Sequence, residues 1–122
     1  MTTTSLTDLD VTRLTIGGEP QSETLIDTAL ISIKSGVVVL NKAGAITATI
    51  AKPTATTDDM KTLTVTSITA QLHTLVIVGG TFGNGGAGYT TATFGAAAGN
   101  SISLLAWNGE YYIIGQRGIT LT

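Results

Sequence analysis

Apolar and polar residues alternate along most of this chain. Ile46, Ala48 and Ile50 share one parity, and Ala45, Thr47 and Thr49 share the other. Leu63, Val65 and Ser67 alternate in the same way with Thr64, Thr66 and Ile68, and Tyr89–Phe94 alternates again. A period of two places successive side chains on opposite faces of a pleated strand. The β-branched Thr, Val and Ile that fill these positions suit a pleat better than a helix. Ala29–Ile33 and Val37–Leu40 read as further strands. Leu75-Val76-Ile77-Val78 is a continuous apolar run and predicts a strand buried on both faces. One stretch is ambiguous, because Leu25, Ile26, Ala29 and Leu30 within Thr24–Ile33 also fall on a helical stripe.

The punctuation between these runs is equally regular. Asn41-Lys42-Ala43-Gly44, Gly79–Gly88 and Gly95–Asn100 read as turns or loops, and Pro53 ends the strand before it. Thr54–Lys61 predicts a short helical turn, with Thr56 or Thr57 as its cap and Asp58 and Asp59 near the positive end of its dipole. Asn108-Gly109 separates Ser101–Trp107 from Glu110–Gly115. That dipeptide predicts a tight hairpin, because a type I′ turn needs positive φ at both central residues. Gly118–Thr122 reads as a last short strand. The sum is about eight short strands at 8–12-residue spacing. It predicts an all-β fold: an antiparallel sandwich, jelly roll or small barrel. No long amphipathic helix interrupts the strands, which excludes a βαβ fold.

The first 27 residues differ from the rest. They hold Asp8, Asp10, Arg13, Glu19, Glu23 and Asp27, whereas Thr62–Thr122 holds only Glu110 and Arg117 as full charges. Val11–Ile16 alternates as a short strand, and Gly17-Gly18-Glu19-Pro20 breaks it. The division expected is an extended arm over 1–27 and a β-domain over 28–122. An arm bearing an unpaired strand can add to the sheet edge of a neighbour. Leu6, Leu9, Val11, Leu14 and Ile16 are its candidate contact residues. The same segment also reads as an ordinary edge strand of the domain.

Composition narrows the classes. Of 122 residues, 43% are hydrophobic and 11% charged, against about 25% charged in typical soluble domains. This is one domain's length, and too apolar for a disordered chain. There is no Cys, so no disulfide and no thiolate metal site. No apolar run is long enough to span a membrane as a helix. A net charge of −2 opposes recognition of nucleic-acid phosphates. The N-terminal residues lack the pattern of a secretory signal, so synthesis in a cytoplasm is expected. Scarce charge in the second half fits burial against other copies of the chain, or a surface solubilised by hydroxyls.

Candidate chemistry is thin. Gly83, Gly85 and Gly88 match G-x-G-x-x-G, with Glu110 some twenty residues on. A dinucleotide site needs that loop to open a helix, and a strand pattern follows instead. His73 is the sole histidine, and no Gly-x-Ser-x-Gly elbow accompanies it. Asp58 and Asp59 are adjacent, which suits no glycosidase pair on a strand. Asp8 and Asp10 supply too few oxygens for calcium. No catalytic, cofactor or metal site is expected, and the chain reads as a non-enzyme. Trp107, Tyr111 and Tyr112 form the one aromatic cluster. They are candidates for a subunit interface or the core, with contact to a sugar ring as an alternative.

Three stretches resemble small structural proteins of tailed bacteriophages. They are Ala92–Gly115, including Thr93-Phe94-Gly95 and Asn108-Gly109-Glu110-Tyr111-Tyr112; Ser35–Leu40 through Ala51–Ala55; and Thr69–Leu75. The set is similar to head decoration (cement) proteins and head-fibre modules, over roughly residues 30–122. The resemblance implies a β-rich homotrimer on the virion surface. Its partner would be the major capsid protein, and its role to stabilise the expanded shell. It implies no cofactor and no nucleic-acid, membrane or small-molecule partner. A head-fibre or tail-appendage module and a carbohydrate-binding module are the alternatives.

Overall fold

A computed structural model describes residues 21–83 and 88–122. Eleven strands are present among them: β1 (Ser22–Leu25), β2 (Ala29–Leu30), β3 (Gly36–Leu40), β4 (Thr47–Ala51), β5 (Thr62–Ser67), β6 (Thr74–Val78), β7 (Phe82–Gly83), β8 (Thr91–Phe94), β9 (Ser101–Trp107), β10 (Glu110–Arg117) and β11 (Ile119–Leu121). There is no helix among the described residues, and the fold is all-β. The strands form two mixed sheets. One is six-stranded, in the order β1-β3-β5-β9-β10-β7, and the other five-stranded, β11-β8-β6-β4-β2.

The alternation in the sequence sets the two faces of each sheet. Val38, Leu40, Leu63, Val65, Ile102 and Leu104 point inward from the six-stranded sheet, and Ala48, Ile50, Leu75, Ile77, Ala92 and Phe94 from the other. They form one continuous core. Val76 is only half-buried and Val78 is exposed, so the run 75–78 is covered on one face rather than both. Among the described residues no layer packs on the outer side of that sheet.

The pairing pattern departs from the antiparallel expectation in the first half of the chain. Strands β1, β3 and β5 lie parallel in one sheet, and β2, β4 and β6 lie parallel in the other. After each of β1, β3 and β5 the chain turns a corner and crosses to the opposite sheet. The corners are residues 26–28, 41–46 and 68–73. The result is a flattened coil. Its second and third turns stack in a constant register, Gly36 on Leu63 and Thr47 on Thr74. From β8 onward the pairing is antiparallel, β8 with β6 and β11, and β9 with β5 and β10, except that the short β7 joins β10 in parallel.

Local details follow from local chemistry. Asn108 and Gly109 both take positive φ, 50° and 83°, as the predicted turn requires. Residues 54–60 form turns and not a helix, because Thr56 and Met60 adopt left-handed φ of 70° and 71°. The stretch 24–33 contributes to β1 and β2, and its helical stripe is not realised. One strand lies on the N-terminal side of the expected boundary at residue 27. Ser22–Leu25 pairs with Val37–Leu40, and Leu25 is buried.

Candidate functional site

The outward face of the six-stranded sheet consists of cross-strand rows. Val37, Thr64, Ser103 and Gly115 make one row; Val39, Thr66, Ser101 and Arg117 the next; Thr62, Leu105, Tyr112 and Gly83 a third. The Thr64 and Ser103 hydroxyls meet at 3.0 Å. Arg117 is the one charged side chain in these rows, and it sits at their margin. Hydroxyls and apolar groups fill the rest.

Apolar exposure on this face concentrates at the β9–β10 hairpin. Trp107 is 50% exposed, Tyr112 38% and Ile114 57%. Tyr112 lies opposite Leu105, and Trp107 opposite Glu110, so the two rings are diagonal neighbours. Ile114 is the extra residue where the register shifts, since Ser103 faces Gly115 while Leu104 faces Ile113. Gly83 lies under the Tyr112 ring. A Cβ there would sit 2.8 Å from both a ring carbon and Glu110 Oε1, so a larger residue would require those two side chains to shift.

The pleat separates the aromatic cluster. Trp107 and Tyr112 face solvent, whereas Tyr111 points into the core and is fully buried. Its hydroxyl donates to the Lys34 carbonyl at 3.3 Å. Burial, with a smaller contribution from the Asp58 carboxylate, pushes the phenol up to about 12. Leu6, Leu9, Val11, Leu14 and Ile16 lie outside the described residues.

The outward face of the five-stranded sheet is paved with threonine. Thr47, Thr74, Thr93 and Thr120 line up across β4, β6, β8 and β11. Thr49, Val76 and Thr91 form the neighbouring row. Reading within single strands does not find these ranks, because they depend on register between distant segments. The recurrence of Thr-x-Thr at 47/49, 91/93 and 120/122 was the available signal.

The buried polar groups serve the fold. Asp58 accepts from the Thr54 N–H at 2.7 Å and pairs with Lys61 at 2.9 Å. The backbone bond first, then Lys61, holds its carboxyl below the ordinary value. His73 joins two corners of the coil through both ring nitrogens. The glycine motif opens no helix; a loop and then β8 follow it. Among the described residues no three His, Asp or Glu side chains converge as a metal site would need, and no helix is long and apolar enough to cross a membrane. The geometry therefore offers surfaces for contact: two sheet faces with few charged side chains, one of them carrying an exposed aromatic pair. No family model matches the chain, and no curated protein or solved structure is significantly similar to it.

Proposed function

We propose that this chain is a structural, non-enzymatic subunit of a phage virion. It would act as a capsid decoration protein that trimerises on the outer surface of the head and bridges major capsid proteins. The observation that carries this reading is the outer face of the six-stranded sheet. Val37, Leu105, Tyr112 and Trp107 stand there among Thr and Ser hydroxyls, with Arg117 at one margin and Glu110 beside the aromatic pair. Low charge and enriched aromatics are the composition of an interface core. The resemblance of residues 30–122 to decoration and head-fibre proteins supplies the assembly context. Binding only the expanded shell would stabilise that shell by mass action. The arm residues Leu6, Leu9, Val11, Leu14 and Ile16 are the proposed contact with it.

Light scattering tests the assembly. The full chain is expected at three times its 12.4 kDa, and Tyr112→Lys at a lower mass with its strands intact. Leu14→Asp/Ile16→Asp is expected to leave the trimer whole and weaken its binding to expanded capsids. A monomer that ignores capsids would overturn the proposal. One observation favours a second reading, a glycan-binding module: the Trp107 and Tyr112 rings are exposed together on one face. Retention on a glycan array that Trp107→Ala abolishes would select it.

A further inference from the structure

We propose that His73 is an acid-sensitive latch, and that adding a proton to its Nδ1 releases the 68–73 corner from the 41–46 corner. The two corners occupy equivalent places in successive turns of the coil. Ile46 precedes β4 as His73 precedes β6, and the two positions stack. The histidine side chain takes part in this stacking. It is fully buried, and the Ile46 N–H donates to its Nδ1 at 2.9 Å. An N–H can only donate, so Nδ1 must carry a lone pair, and the ring proton resides on Nε2. Nε2 lies 2.8 Å from Thr69 Oγ1, within its own corner, and donates to it.

The backbone on either side is tied down as well. Thr74 N–H donates to the Ile46 carbonyl at 2.9 Å, and Phe94 N–H to the His73 carbonyl at 2.8 Å. One imidazole therefore sits where β4, β6 and β8 meet. A second proton would make both ring nitrogens donors and set two N–H groups against each other at Ile46. It would also bury a cation with no counter-ion beside it among the described residues. The 68–73 corner, β4, β6 and β8 carry no charged residue. Lys42 is the one charged residue of the 41–46 corner, and it pairs with Asp27 at the surface. Desolvation is accordingly the cause that holds the imidazole below its ordinary 6.5.

The sign follows from linkage. An imidazole depressed in the native state keeps the corner closed at pH 7. As pH falls below 6.5, the open state binds the proton that the closed state refuses. Within that window the opening constant rises toward tenfold per pH unit. His73 is the sole histidine, so no other side chain with an ordinary pKa titrates between pH 7 and 5.

The test uses the full chain. His73 is titrated by its imidazole resonances, and amide exchange at Ile46 and Thr69–Thr74 is followed from pH 7 to 5, corrected for intrinsic rates. The imidazole is expected to titrate below 6.5, with exchange at those amides accelerating toward tenfold per pH unit. His73→Asn keeps an acceptor near the Nδ1 position without the titration, and its exchange is expected to be flat over the same range. An imidazole titrating at or above 6.5, or corrected exchange that does not change, overturns the latch. So does an Asn variant with the native pH dependence. Should that variant fail to fold, the native titration and exchange decide alone.

Discussion

The two halves of this protein share one core but hold their strands by different pairings. In β1–β6 each strand lies parallel to the one laid down a full turn earlier, and the chain changes sheet at every corner. In β8–β11 the pairing is antiparallel apart from the two-residue β7 beside β10, and β9–β10 is a tight hairpin closed by two residues. The first arrangement builds its ladders from residues far apart in sequence, at a cost in loop closure. The second combines one local hairpin, β9 with β10, with pairings at least as distant, such as Leu105 on Thr62. The parallel half also makes more use of buried polar groups at its corners and turns, where Asp58, Ser67 and His73 satisfy backbone that no strand reaches. The difference teaches that an inward-facing apolar pattern can be served by either pairing, and that the corners decide between them.

The largest effects should come from the core that both halves share. Leu75→Ala in the parallel half and Leu104→Ala in the antiparallel half should each cost about 2–5 kcal/mol, because both side chains are fully buried. Urea unfolding followed by Trp107 fluorescence and by far-UV circular dichroism should give coincident transitions, given a single core. Separated transitions would show that the halves fold independently.

Gly109→Ala acts in the antiparallel half and should cost about 1–3 kcal/mol, since its φ of 83° is unfavourable for alanine. Amide exchange should accelerate in β9 and β10 before it does in β3. Asp58→Asn tests the parallel half. It removes the charge that accepts from Thr54 N–H and pairs with Lys61, and should cost about 1–3 kcal/mol at pH 7. The native carboxyl lies below 3.8, so its contribution is complete above that value and fades as pH falls through the lower native one. Denaturation midpoints of the two proteins should therefore converge in acid. The smallest effect is expected at the seam. Thr64→Ala removes the hydroxyl pair between β5 and β9 and should cost about 0.2–1 kcal/mol.

These contrasts also explain what could be read in the chain. Strand positions and inward parity follow from period-two alternation, which is a property of each segment alone. The Asn108-Gly109 turn was legible because its conformation demands those residues. The parallel coil was not. Asn41-Lys42-Ala43-Gly44 has the composition of a hairpin turn, and nothing within it says that the chain will cross to the other sheet. The aromatic cluster was legible as residues but not as geometry, since Tyr111 and Tyr112 are adjacent and the pleat sends them to opposite sides. His73 carries no motif at all. Its significance arises from stacking on Ile46, a residue one whole turn away.

The constant register of the coil has a consequence for the shape of related molecules. Each turn places its strands directly on those of the turn before, with Thr47 on Thr74 and Gly36 on Leu63. Duplicating residues 36–62 would thus insert one more layer, with its own inward Val38, Leu40, Ala48 and Ile50, and leave the hairpin end unchanged. The molecule would grow along the stacking direction by one strand spacing, about 4.8 Å. Such a coil is a ruler graduated in strands, on which the separation of the two ends is set by the number of turns.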